Sequence, residues 1–193
     1  MKKSIYTKTL ALTATFALAA AALSTSAFAA GTSSTITGGE LTGGGLGFNP
    51  LSITLDGTQQ SSDVAWSIAG ITDARGTGTG WNLGLALTPF QEVNDLNEYV
   101  TDGKTLASSS LKVLTSPSVS QVDTTSSLAS TIAPVNVATA LDTGSEVRLL
   151  SATTDGGMGS YTFGDMGVEL TVPANAYAKT YKTTATVTLH EAP

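Results

Sequence analysis

Beyond residue 30, apolar and polar positions alternate in short runs separated by Gly, Asn, Asp and Ser clusters. Leu51, Ile53 and Leu55 alternate with Ser52 and Thr54 before an Asp56-Gly57 turn, and Val64, Trp66 and Ile68 alternate with Ala65 and Ser67. Trp81, Leu83, Leu85 and Leu87 share one face, opposite Asn82, Gly84, Ala86 and Thr88, until Pro89 stops the run. Val147 and Leu149 flank Arg148, Tyr161 and Phe163 flank Thr162, and Val168, Leu170 and Val172 alternate with Glu169 and Thr171. The last run sets Tyr181, Thr183, Ala185, Val187 and Leu189 against Lys182, Thr184, Thr186, Thr188 and His190. A period of two predicts strands with one buried and one wet face, hence antiparallel pairing. Many short strands punctuated by turn residues predict an all-β fold, an antiparallel β-sandwich of the immunoglobulin-like or Greek-key type.

No stretch carries a sustained 3.6-residue stripe, so helices are expected only as short connectors, around Pro89 to Tyr99 or Ser126 to Ile132. The Ser- and Thr-rich stretch 105–131 alternates weakly at Leu111, Val113 and Val119, and predicts one strand and a long surface excursion. The first thirty residues differ from all of this. Lys2, Lys3 and Lys8 lead into an apolar run from Leu10 to Leu23, which ends at Ala27-Phe28-Ala29-Ala30. Basic, apolar and small-residue segments in that order predict a secretory signal peptide over residues 1–29, cleaved after Ala29. The run is shorter than the roughly 20 residues that cross a membrane, so no integral span is expected in the mature chain. Residues 30–193 then read as a single domain.

The formal charge is −6, with 9 Lys and Arg against 15 Asp and Glu. Removing three lysines with the signal peptide leaves six basic residues against fifteen acidic, a net −9. Such a surface does not suit nucleic acid, which requires clustered cations to displace counterions from phosphates. The absence of cysteine excludes disulfides, thiolate metal sites, thiol catalysis and lipid acylation at cysteine within these 193 residues.

Little in the pattern points to catalysis, and no cofactor or metal is expected. His190 is the only histidine and falls on the polar face of the last run, where it reads as a solvated surface residue. A serine hydrolase is unsupported without Gly-x-Ser-x-Gly. The stretch Asp95 to Gly103 offers Asp95, Asn97, Glu98 and Asp102 as oxygen ligands, yet lacks the sixth-position Gly and twelfth-position acid of an EF-hand, and reads as an ordinary loop. Gly43-Gly44-Gly45 and the Gly76, Gly78, Gly80 tract lead into no helix and no Lys-Ser/Thr pair, so they read as turns or bulges rather than phosphate cradles. Trp66 and Trp81 could serve as sugar-stacking platforms, but both align with the apolar face of their runs and read as core.

Two segments taken together carry a resemblance. Asp73-Ala74-Arg75-Gly76-Thr77-Gly78-Thr79-Gly80-Trp81-Asn82-Leu83 is similar to the Trp-x-Leu signature of the WxL-domain family of Gram-positive cell-surface proteins. Gly156 to Tyr161, Val168 to Ala174, and the closing run from Tyr181 to Pro193 resemble the family's C-terminal pattern. The family's second motif typically has Trp where Val187 stands, so this chain keeps only Leu189 of that pair. The resemblance implies a secreted, non-catalytic protein held non-covalently on the cell wall, with peptidoglycan as ligand and a WxL-interacting surface protein as partner. It also implies Asp73, Arg75, Gly76, Trp81, Leu83, Tyr181, Leu189 and Pro193 as the motif residues.

No Leu-Pro-x-Thr-Gly sorting signal and no apolar C-terminal tail occur, which agrees with non-covalent retention. Trp81 and Leu83 share a face with Leu85 and Leu87, so they are expected to hold the fold together while loops or polar sheet faces meet the wall. The alternative is a structural or adhesive subunit whose strand edges pair with a neighbour. A secreted carbohydrate-active enzyme is a third and weaker reading, since any two of fifteen carboxylates can be imagined across a cleft.

Overall fold

In a computed structural model of the chain the described residues are 35–191. The expected signal peptide and its cleavage site, together with Pro193, lie outside them. In chain order the strands are β1 (Leu41–Gly43), β2 (Leu46–Gly47), β3 (Gln60–Ile68), β4 (Ile71–Asp73), β5 (Trp81–Leu87), β6 (Gln91–Glu92) and β7 (Leu111–Thr115). They continue as β8 (Val119–Gln121), β9 (Ile132–Pro134), β10 (Glu146–Ala152), β11 (Gly159–Phe163), β12 (Met166–Val172), β13 (Tyr181–Lys182) and β14 (Ala185–His190). Every strand pair is antiparallel, and the all-β expectation holds for the described residues.

The strands lie in three four-stranded sheets, β1-β4-β11-β8, β2-β3-β12-β7 and β14-β5-β10-β9, plus a ribbon of β13 and β6. The first two sheets are halves of one kinked sheet, because each strand of one runs into a strand of the other. At the kink, Ala69 N–H donates to the Gly45 carbonyl at 2.8 Å and Gly164 N–H to the Ser118 carbonyl at 3.0 Å. One core joins this long sheet to the third: Trp66, Ile71, Tyr161, Met166 and Val168 cluster with Trp81, Leu83, Leu85, Leu87, Leu149 and Leu150. Burial of each large side chain stabilises by about 1.5–3 kcal/mol.

Four expectations need correction. First, Leu51, Ile53 and Leu55 keep their alternation, half-buried against exposed Ser52 and Thr54, but form no ladder. Pairing of β2 with β3 ends at Gly47 and Ser67. Beyond it the Asn49 side chain donates to the Ala65 carbonyl at 2.7 Å, the place a backbone amide would take, and Pro50 follows. Second, β5 has no wet face. It is the inner strand between β14 and β10, Asn82 and Gly84 are buried as well, and the Glu146 side chain covers the space where a Gly84 side chain would stand. Third, a bulge between Arg148 and Leu150 breaks the strict alternation of β10 and buries both Leu149 and Leu150. Fourth, the closing run is two strands in different sheets: Tyr181 pairs with Glu92, whereas Val187 and Leu189 pair with Leu85 and Leu83.

The connectors are equally spare. A single 3-10 turn, Ala129–Thr131, stands where a helix around Ser126 to Ile132 is expected, and the Pro89 to Tyr99 stretch forms β6 and turns. The stretch 105–131 contains β7 and β8 rather than one strand.

Candidate functional site

The motif residues build a clasp at the start of β5. Asp73 ends β4 and is buried, and the chain then turns through Gly76, Gly78 and Gly80, all at positive φ, to reach Trp81. Gly80 shows why glycine is needed: at φ 75° a side chain would stand 2.5 Å from the Ala152 carbonyl. Arg75 bridges the turn. Its Nε and Nη2 donate to the two Asp73 oxygens at 2.9 Å each, Nη2 also to the Gly80 carbonyl at 2.8 Å, and Nη1 to the Glu191 carbonyl at 2.7 Å. This planar fork ties β4, the glycine turn and the C-terminal end of β14 together. Burial disfavours the Asp73 charge, yet hydrogen bonds from Arg75 and its attraction outweigh that and hold the carboxyl below its ordinary range. Arg75 is correspondingly raised, chiefly by its bonds to Asp73.

Trp81 has no exposed surface, and its indole N–H donates to the Gly157 carbonyl at 2.9 Å. Leu83 is also fully buried and lies opposite Leu189 in the β5–β14 ladder. Asp73, Arg75, Gly76, Trp81, Leu83 and Leu189 therefore gather at one place. Tyr181 does not join them; it lies at the other end of β5, beside a cleft lined by Leu87. Within the clasp, the tryptophan and leucine of the motif expose no side-chain surface.

A second cluster of aromatic and charged side chains, this one exposed, surrounds the β6–β13 ribbon. Tyr99 and Tyr177 are 43% and 57% exposed. Lys104 Nζ sits 4.6 Å from the Tyr177 ring centre, Lys182 Nζ 5.7 Å from that of Tyr99, and the Tyr99 hydroxyl lies 2.8 Å from Thr184 Oγ1. Lys179 pairs with Glu92 at 3.0 Å, while the Lys104 backbone amide donates to the same carboxylate at 2.9 Å. Those two donors hold the Glu92 carboxyl below its usual range. Cations over aromatic faces are the arrangement that orders both partners at a wet surface. Reading the alternation alone misses this cluster, because its members come from three connections and one ribbon; the Tyr177, Lys179, Tyr181 spacing is its only local trace.

The cleft beside Tyr181, about 930 Å³, runs between the 48–55 segment and residues 177–185, over Trp66, Leu87, Leu106, Leu170 and Val172. Phe48 stands edge-on to Trp66 with ring centres 4.9 Å apart.

Elsewhere the described residues hold little chemistry. His190 is less free than expected, with Nε2 3.0 Å from Glu146 Oε1. Asn94, at the head of the acidic loop, accepts the Leu96 and Glu98 amides, and no group of three or more His, Asp or Glu among the described residues could hold a metal ion. No helix of the described residues is long and apolar enough to cross a membrane.

An all-β, antiparallel domain with a buried Trp-x-Leu clasp closed by its own last strand is thus the class of protein defined here. The chain belongs to the WxL domain family, described as surface cell wall-binding, whose family model matches residues 48–193. No curated protein and no solved structure matches it.

Proposed function

We propose that the chain is a secreted, non-catalytic module that attaches non-covalently to the cell wall of a Gram-positive cell, with peptidoglycan as its ligand. The family match over residues 48–193 carries this reading. The basic, apolar and small-residue order of residues 1–30 supports secretion, and a chain with no cysteine has no thiol for a lipid anchor. The domain is taken as residues 30–193.

Contact with glycan falls on the Tyr99 and Tyr177 face. One side of each ring carries a lysine, both residues remain exposed, and aromatic rings with nearby donors are what uncharged sugars stack on. Trp81 and Leu83 act at a distance, by holding the ends of β4, β5 and β14 together. Isolated peptidoglycan sacculi test both statements. The double variant Tyr99→Ala, Tyr177→Ala is expected to lose most sedimentation with sacculi, and a folded Trp81→Phe variant to keep it; the reverse result overturns the assignment.

The two sheets are read as layers of a sandwich. A Greek key is the topology that the strand order favours, since the chain changes sheet from β4 to β5, from β5 through the ribbon to β7, from β8 to β9, from β10 to β11 and from β12 through the ribbon to β14. In an immunoglobulin domain the second strand pairs with the fifth, whereas β3 here pairs with the much later β12. A second reading, pairing of strand edges with another protein such as a WxL-interacting partner, is favoured by one observation, the open outer edge of β3.

A further inference from the structure

The hairpin of β2 and β3 is zipped at one end only. On its outer side β3 pairs at Ile68 and Ser67, and the Asn49 side chain then takes the Ala65 carbonyl. Backbone groups alternate sides along a strand. Those of Ser61 and Asp63 therefore face outward with Ala65, and among the described residues no strand meets them. The segment that should continue the ladder is tied only at its ends. The Asn49 carbonyl accepts the Trp66 indole N–H at 3.2 Å, and Asp56 Oδ1 accepts the Gln60 side-chain amide at 2.6 Å. Between these anchors, residues 51–55 pack Leu51, Ile53 and Leu55 against the core and, among the described residues, form no backbone ladder with β3.

The open edge lies beside the apolar cleft. Trp66 belongs to β3, and Leu170 and Val172, opposite Ser62 and Gln60, form part of the cleft lining. A strand laid along Ser61–Ala65 would turn alternate side chains to the face of β3 that carries Trp66, at the margin of that cleft. The charge is also one-sided: the only charged residues in the lining are Lys179 and Lys182, in a chain with more acidic than basic residues. Glu92 already pairs with Lys179, which leaves Lys182, stacked on Tyr99, as the positive group facing an occupant.

We propose that the outer edge of β3 is a docking site for an extended segment of a partner protein, one with apolar side chains at alternate positions and an acidic side chain opposite Lys182. Backbone bonds to Ser61 and Asp63 provide the affinity, and the cleft selects the alternate side chains. A second copy of this chain fits less well. Two-fold antiparallel pairing of β3 with itself about Asp63 sets two carboxylates opposite one another, and like charges across a ladder destabilise it. A glycan fits less well too, because the cleft is more apolar than polar, with Leu51, Ile53, Leu55, Leu87, Leu170 and Val172 in its lining. The inference does not rest on wall binding by the tyrosine face, and the two can fail separately.

A displayed library of random twelve-residue peptides, panned on the chain, supplies the probe. Enriched peptides are expected to alternate apolar and polar residues with Asp or Glu near one end. A synthetic copy should slow hydrogen exchange at the Ser61, Asp63 and Ala65 amides. Asp63→Pro removes an outward N–H at an edge position where proline is tolerated, and should weaken that peptide at least tenfold while sacculus sedimentation stays unchanged. Lys182→Glu should weaken it as well. Should Asp63→Pro fail to fold, the peptide itself decides: N-methylation of alternate residues along one of its edges must abolish binding, and along the other must not. No enrichment over an empty support, protection of a different edge, equal loss from both methylation patterns, the same amides protected by an N-acetylglucosamine oligomer, or a dimer with β3 protected overturns the proposal.

Discussion

At the scale of single residues the clasp makes the sharpest demands. Trp81→Phe removes the bond to the Gly157 carbonyl and leaves a void, so a loss of about 1–3 kcal/mol is expected from thermal or denaturant unfolding. Gly157→Ala should cost more, about 2–4 kcal/mol: at φ 68° a side chain is already disfavoured, and its Cβ would lie 2.4 Å from that of Ala152 and 2.7 Å from the Trp81 indole nitrogen. Asp73 adds a pH dependence whose sign follows from its lowered pKa. The folded state holds the carboxyl below the ordinary 3.8, so its stabilisation is fully present above that value and disappears as pH falls through the lower folded value. Melting wild type and Asp73→Asn side by side should show a gap in midpoint at neutral pH that narrows only below about pH 3.8; a gap independent of pH down to 2 would remove Asp73 as its source.

At the scale of elements, Arg75 decides how firmly β14 is fastened. Its guanidinium is the link that joins the Glu191 and Gly80 carbonyls to Asp73, with Thr79 Oγ1 adding a longer bond to Glu191 at 3.2 Å. Arg75→Ala is expected to raise amide exchange at the Leu189 and His190 end of β14, and much less at Val187, which sits mid-ladder opposite Leu85. Arg75→Lys should restore little, since a point charge cannot reach both carbonyls and both carboxylate oxygens at once. This clasp was half legible in the sequence. The apolar face of Trp81, Leu83, Leu85 and Leu87 reads directly from alternation, and the glycines before it read as a turn. What Arg75 grips does not, because Glu191 lies 116 positions away and is engaged through its backbone carbonyl, which has no residue-type signature. The 51–55 segment shows the converse. Alternation reports which side chains are buried, and it says nothing about whether a neighbouring strand supplies the ladder. The bulge at Arg148 and Leu150 is a related failure, since one inserted residue reverses the faces without changing composition.

At the scale of the whole molecule, charge separates adsorption from recognition. The chain carries −6 over its full length, and walls rich in anionic polymers repel it as a body. The lysines gathered around Tyr99 and Tyr177 are a local exception: Lys179 is neutralised by Glu92, and Lys104 and Lys182 lie against rings. Repulsion of the whole reaches as far as the Debye length, about 30 Å at 0.01 M salt and about 10 Å at 0.1 M, whereas stacking and hydrogen bonds act at contact and are barely screened. Binding to intact sacculi should therefore hold or increase as sodium chloride rises from 0.01 to 0.5 M, and should increase again when anionic polymers are extracted from the sacculi. An attachment built on the lysines would behave oppositely on both counts, falling with salt and falling after extraction. Running the same titration on Lys104→Gln, Lys182→Gln makes the assignment local: a salt response unchanged by the double variant leaves the tyrosine rings as the surface that holds glycan, because the rings are then the part of that face whose grip salt does not weaken.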